Sequence, residues 1–141
     1  MNALDLPPTT DSVPVARRFV QARMQGDTDV DTAALLVSEV VTNAILHART
    51  GVHLTVDDRG SVVHIEVRDG SPVLPRVHAF SPASATGRGL RLLDRLATRW
   101  GVQRDPITGG KVVWFEVGAS TDATWDAFAE DFAGEEWADL L

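Results

Sequence analysis

Apolar residues recur along this chain with two periods, and the change of period marks where helix gives way to strand. From Asp31 to Ala48 the chain reads DTAALLVSEVVTNAILHA. At 100° per residue its apolar side chains point almost all the way round, which predicts a buried helix. Leu36, Val37, Val40 and Ala44 cover one side, Ala34, Val41 and Ile45 the next, and Leu35 and Leu46 a third. Into this surround fall Glu39, Asn43 and His47, whose i, i+4, i+8 spacing gathers them into one polar stripe. A carboxylate in such a place is costly unless something pairs with it.

The neighbouring segments are read the same way. Ser12 is placed as an N-cap, with Pro14 in the first turn, for a helix to about Met24. Its apolar side is Val15, Phe19 and Ala22 with Ala16 and Val20, and Gly26 ends it. Asp29 or Asp31 caps the buried helix and Gly51 closes it. The period then drops to two. Val52, Leu54 and Val56 predict one strand, and Val63, Ile65 and Val67 a second, joined by a hairpin turn through Asp57-Asp58-Arg59-Gly60. Residues 69–89 hold three prolines and no period, so they predict a long loop. Leu90, Leu93, Leu96 and Ala97 predict a helix after Gly89. Trp100–Val102 and Val112–Val117 predict a closing strand pair, turned through Asp105-Pro106 and Gly109-Gly110.

Residues 1–11 read as an N-terminal arm, 12–118 as the domain and 119–141 as a tail. Short turns between strands make antiparallel pairs, with helices gathered on one face. The expected class is an α/β (α+β) two-layer sandwich with a mainly antiparallel sheet.

Composition narrows the function. The 141 residues suit one domain. No cysteine is present, which excludes disulfides, zinc–thiolate sites and thiol catalysis and fits a reducing cytoplasm. Neither a signal peptide nor a membrane span is expected. The net charge of −7 is uneven: residues 1–117 carry 13 bases and 13 acids, and the last 24 residues carry 7 acids and no base. A neutral body without a basic face argues against nucleic-acid binding. The tail sets Trp125, Phe128, Phe132 and Trp137 among those acids, a candidate amphipathic helix that packs back on the domain, covers its groove or docks a partner.

Three further features join the Glu39/Asn43 stripe. A Glu and an Asn on one face offer hard oxygen ligands, and the Glu can serve as a base; a Mg²⁺–nucleotide site needs both. Asp69 ends a strand, where a carboxylate can accept from an exocyclic amine such as that of adenine. Thr86-Gly87-Arg88-Gly89 leads into a helix, where glycines and the helix N-terminus suit a phosphate and Arg88 adds a cation. Lys111 opens the last strand, near the others.

In order, SEVVTNAILHA, VRDG, a Pro-rich loop, TGRGL and GGKVVWFEV resemble the Bergerat-fold (GHKL) ATPase–kinase superfamily shared by gyrase, Hsp90, histidine kinases and MutL. The nearest likeness is to the small bacterial anti-sigma-factor serine/threonine kinases, over roughly residues 12–118. The resemblance implies ATP and Mg²⁺ as ligands. It makes Glu39 the general base and Asn43 the Mg²⁺ ligand. Asp69 reads the adenine amine and Gly87, Arg88 and Gly89 hold phosphate, with Gly70, Thr86 and Leu90 among the nucleotide-binding positions. Lys111 stands among the nucleotide-binding positions. It implies a sigma factor and a STAS-domain anti-anti-sigma protein as partners, and it admits a homodimer, since members are commonly dimers. The family's Asp-x-Gly-x-Gly is here Asp69-Gly70-Ser71-Pro72-Val73, so both later glycines are replaced. That departure keeps a second reading open: a binding module, weak or inactive in catalysis, that sequesters a sigma factor or another regulator. A detached histidine-kinase catalytic domain fits less well, because no phosphoacceptor helix is evident.

The remaining features have plainer readings. His47 is expected to pack in the core. His53, His64 and His78 lack metal-ligand spacing. Arg88, Arg91, Arg95 and Arg99 form either a solvated face or a docking surface for an acidic partner, with Asp94 favouring the former. Trp100 and Trp114 are expected to pack at the sheet.

Overall fold

A computed structural model of the protein describes residues 2–24, 28–71 and 85–119, and the side chains of 85–90 lie outside the description. His78, the Pro-rich segment and the tail lie outside it too. The elements are β1 (Ala3–Leu6), α1 (Ser12–Arg23), α2 (Val30–Asn43), β2 (Val52–Asp58), β3 (Val63–Asp69), α3 (Ala85–Leu96), β4 (Arg99–Arg104) and β5 (Lys111–Val117). The five strands form one antiparallel sheet in the order β1-β2-β3-β5-β4. This is the antiparallel two-layer α+β class expected.

The core follows from the two periods. Leu54, Val56, Val63, Ile65, Val67, Val113, Phe115 and Val117 are buried in the sheet. Against them lie Ala16, Phe19 and Val20 of α1, Leu36, Val37, Val40 and Val41 of α2, and Leu92, Leu93 and Leu96 of α3. Helix α2 packs between α1 and α3. Each of the larger side chains, Val, Leu, Ile or Phe, contributes about 1.5–3 kcal/mol when fully buried. Val30–Ala48 is long and apolar enough to cross a membrane by composition, but most of its apolar side chains, Leu46 excepted, pack on this core. Asp29 caps α2: its Oδ1 accepts from the Thr32 N–H at 3.1 Å and its Oδ2 from the Thr32 hydroxyl at 2.7 Å. Such a cap is worth ~1 kcal/mol.

Several boundaries differ from the sequence reading. The N-terminal arm contains a sheet strand, with Ala3–Leu6 registered against Val52–Thr55. Asp11, not Ser12, sits at the N-cap of α1, and the Ser12 hydroxyl donates instead to the Pro7 carbonyl at 2.7 Å. Asp57 and Asp58 extend β2, so the hairpin turn falls on Arg59–Val62, closed by the Arg59 N–H on the Val62 carbonyl at 2.9 Å. After Asn43 the helix widens into a π-helical turn, Ala44–Ala48, and Arg49 rather than Gly51 ends it in the left-handed region, at φ 58°. The wider turn holds more residues per revolution, so the i, i+4, i+8 stripe stops at Asn43. His47 is therefore exposed instead of packed, and Leu46 is 48% exposed. Helix α3 begins at Ala85, not after Gly89, so Thr86–Gly89 lie within it. Arg99 belongs to β4 and leaves the helical arginine series.

Candidate functional site

The site is built where α2, β3 and β5 end or begin. Asp69 closes β3 and pairs in register with Val52 on one side and Lys111 on the other. Just before Val52, the Thr50 Oγ1 accepts the Gly70 N–H at 2.9 Å. This bond ties the chain leaving the π-helical turn to the chain leaving β3. The C-terminal end of α2 and Asp69 therefore share one end of the sheet. The chain leaves the sheet at Asp69 and returns at Arg99, which pairs with Glu116 at the opposite end. Helix α3, roughly 18 Å long, precedes Arg99 in the chain.

Asp69 is 4% exposed. Lys111 Nζ lies 2.9 Å from its Oδ2 and 3.2 Å from its Oδ1, and the Ser71 N–H donates to Oδ1 at 2.8 Å. A carboxylate has about four lone-pair positions. Among the described residues three contacts are made to that of Asp69, which by lone-pair count leaves one position for a further donor. The glycine pair before Lys111 has two separate tasks. Gly109 takes φ +78°, as a tight turn needs. Gly110 packs so closely that a Cβ there would meet the Asp69 carbonyl oxygen at 1.9 Å. This close approach lets Lys111 start its strand beside Asp69.

Glu39 and Asn43 occupy successive turns of α2. Glu39 is 8% exposed and has a partner within the chain. Asn43 is half-buried, yet its Oδ1 is fully shielded and has no hydrogen-bond donor among the described residues. Its neighbours are satisfied locally. The Ser38 hydroxyl donates to the Ala34 carbonyl at 2.7 Å and accepts from Arg17 Nε at 3.0 Å; the Thr42 hydroxyl donates to the Ser38 carbonyl at 2.6 Å. A shielded, unpaired oxygen costs about 1–3 kcal/mol. It is the kind of hard donor that Mg²⁺ takes, and the π-helical turn that follows is a feature enriched at functional sites. Among the described residues no group of three or more His, Asp or Glu could cage a metal. Mg²⁺ at a nucleotide commonly uses one or two protein oxygens and takes the rest from phosphates and water, so Asn43 with Glu39 beside it suits that ion.

The structure thus joins Asp69, Gly70 and Lys111 directly, and places Glu39 and Asn43 on one face of α2. Thr86, Gly87, Arg88, Gly89 and Leu90 are located only by their backbone in the first turns of α3. Sequence reasoning missed Thr50 and the packing role of Gly110. The doubled glycine was a usable signal for Gly110, since one glycine suffices for the turn. Thr50 carried none, because its partner is 20 residues away.

On the outer face of the sheet lies a different set of charges, in which Glu116 Oε1 also faces Arg99 at 3.8 Å. The Glu116 Oε2 faces His64 Nδ1 at 2.8 Å and Arg59 at 3.3 Å, and Trp114 stacks on His64 with centroids 5.5 Å apart.

A helical layer over an antiparallel sheet, with a buried Glu and a half-buried Asn one turn apart on the central helix and a carboxylate at a strand end, defines a GHKL-type nucleotide-binding domain. A family model described as a histidine kinase-like ATPase domain matches residues 6–117, and the chain belongs to that family. Among solved structures it is similar to the histidine kinase domain of the Erythrobacter litoralis EL346 blue-light activated histidine kinase, with 26% identity and a TM-score of 0.51. That match covers 84% of this chain and 63% of the other, so the chain spans less than two thirds of that structure. No curated protein matches the sequence.

Proposed function

We propose that the chain is an ATP-dependent protein serine/threonine kinase of the anti-sigma type. It works in the cytoplasm, where it holds a sigma factor and phosphorylates a STAS-domain anti-anti-sigma protein, so that the two partners exchange. The observation that carries the catalytic part is the unpaired Oδ1 of Asn43, one helical turn from the buried Glu39. The order of motifs across residues 12–118 supports the anti-sigma assignment.

In this reading Asp69 accepts from the adenine amine while Lys111 and the Ser71 N–H hold its carboxylate in place. Asn43 would hold Mg²⁺, which when bound would neutralise phosphate charge and align the phosphates. Glu39 takes the proton from the acceptor serine hydroxyl. The serine oxygen then bonds to the γ-phosphorus as its bond to the bridging oxygen breaks, and ADP leaves. Positioning and charge neutralisation are most of what such a transfer needs. Incubation of the protein with Mg-ATP labelled at the γ-phosphate and a STAS-domain partner tests this. Label is expected on a partner serine, falling roughly 10²-fold or more in Glu39→Gln. Transfer that is equal in Glu39→Gln, or absent with every STAS partner, contradicts it.

One observation favours a second reading. Ser71 fills a family glycine position, and its N–H is committed to Asp69 Oδ1. If this prevents productive closure over the phosphates, the domain is a binding module. Partner binding then persists unchanged in Glu39→Gln and no phosphate moves.

A further inference from the structure

We infer that Lys111 reads the base directly: its Nζ donates to the ring nitrogen beside the amino group of a bound 6-aminopurine, while Asp69 takes the amine. This rests on the adenine reading of Asp69 and adds a specificity-determining residue to it.

Leu6, Val52, Asp69, Lys111 and Arg104 form one rung across all five strands. Directly opposed residues share a face of the sheet, and the next residue on that face lies two positions along each strand. For Asp69 and Lys111 those residues are Val67 and Val113, and both belong to the core. The core therefore ends at this rung, and Asp69 and Lys111 are the last side chains of β3 and β5 on the helix side. The Lys111 side chain is 11% exposed against 2% for Asp69, so the lysine is the more open member of the pair. The backbone contact at Gly110, too tight for a Cβ, fixes how near the start of β5 comes to Asp69.

Asp69 Oδ1 takes the Ser71 N–H at 2.8 Å and Lys111 Nζ at 3.2 Å, which fills its two lone pairs. Among the described residues Oδ2 takes only Nζ, at 2.9 Å, so the open acceptor position is on Oδ2. A lysine ammonium carries three hydrogens, and Asp69 is the only side chain it meets among the described residues. At least one hydrogen is left over. The open acceptor and the spare donor thus sit on atoms 2.9 Å apart. Adenine presents the matching order on its edge, an amine donor beside a ring-nitrogen acceptor. A 6-oxopurine in the same pose presents the reverse and sets acceptor against acceptor and donor against donor. A charged donor on a base acceptor is also stronger than a neutral one, so the lysine adds to discrimination as well as to affinity.

Calorimetric titration of three triphosphates into wild type and Lys111→Met separates donation to the base from mere support of Asp69. The ligands are ATP, 1-deaza-ATP, in which the ring nitrogen is replaced by C–H, and purine riboside triphosphate, which lacks the amine. Wild type should bind 1-deaza-ATP about tenfold or more weakly than ATP. Lys111→Met should bind ATP more weakly than wild type does, and should distinguish it from 1-deaza-ATP by no more than about twofold. A lysine that only supports Asp69 lowers both affinities together and leaves their ratio unchanged. The wild-type comparison needs no variant, so it decides the matter even if Lys111→Met folds poorly. Equal binding of ATP and 1-deaza-ATP by wild type overturns the inference, as does a ratio that survives in Lys111→Met. Equal binding of ATP and purine riboside triphosphate by wild type overturns the adenine reading of Asp69 as well, and no binding of ATP overturns the nucleotide site as a whole.

Discussion

Lys111 and Asp69 are register partners across the β3–β5 ladder, and their side chains form a buried ion pair with Nζ 2.9 Å from Oδ2. The pair gives a strand-end carboxylate a fixed direction. Breaking a buried pair from one side strands the other charge. Lys111→Ala is therefore expected to lose about 3 kcal/mol of unfolding free energy. The double variant Lys111→Ala/Asp69→Asn should recover part of that loss in urea titrations. A cycle in which the two losses simply add would mean that the pair is not coupled.

Gly110 enforces this pairing by steric exclusion. Gly110→Ala places a methyl against the Asp69 backbone oxygen, so β5 must move. The expected loss is about 1–3 kcal/mol, together with weakened nucleotide binding. Gly109→Ala meets no neighbouring atom and suffers only its positive φ. Its cost should be about 1–2 kcal/mol, with nucleotide affinity kept. Thermal unfolding and nucleotide titration of the two variants separate these effects.

How much of this was legible in the sequence depends on the range of the cause. The buried helix, the β2–β3 hairpin and the final strand were readable because period and turn residues are local. Glu39 and Asn43 stood out because polar residues interrupted an otherwise apolar surround. The limits of α3 were misread because glycines in TGRG lower helix propensity, and tertiary packing of Leu92, Leu93 and Leu96 overrides that. β1 was missed because a four-residue edge strand has too few positions to show a period. The π-helical turn left no signal in the hydrophobic pattern, and it is what exposes His47.

The turn after β4 carries a pH dependence. The Ile107 N–H and the Thr108 hydroxyl donate to the Asp105 carboxylate, and the Arg68 charge adds to them; together they hold its pKa below the ordinary 3.8. A lowered folded pKa means stability fully present above about 3.8 and lost as pH falls through the folded value. Asp105→Asn removes that titration. Acid unfolding curves of wild type and Asp105→Asn should converge below the folded pKa and separate above 3.8, with wild type the more stable. Parallel curves across this window would exclude Asp105 as a source of the dependence.

Asn43 gives the most direct test of the central claim, that α2 and Asp69 frame a Mg-ATP site. Its Oδ1 contributes no hydrogen bond to the described fold and is shielded at a cost, so Asn43→Ala should leave unfolding stability equal to or above that of the wild type. Calorimetric titration of Mg-ATP into wild type and Asn43→Ala is the decisive measurement. Micromolar binding in the wild type that weakens at least roughly tenfold in the variant, a difference of about 1.4 kcal/mol, is the predicted result. Equal affinity in both proteins, or no binding in the wild type, would contradict the account.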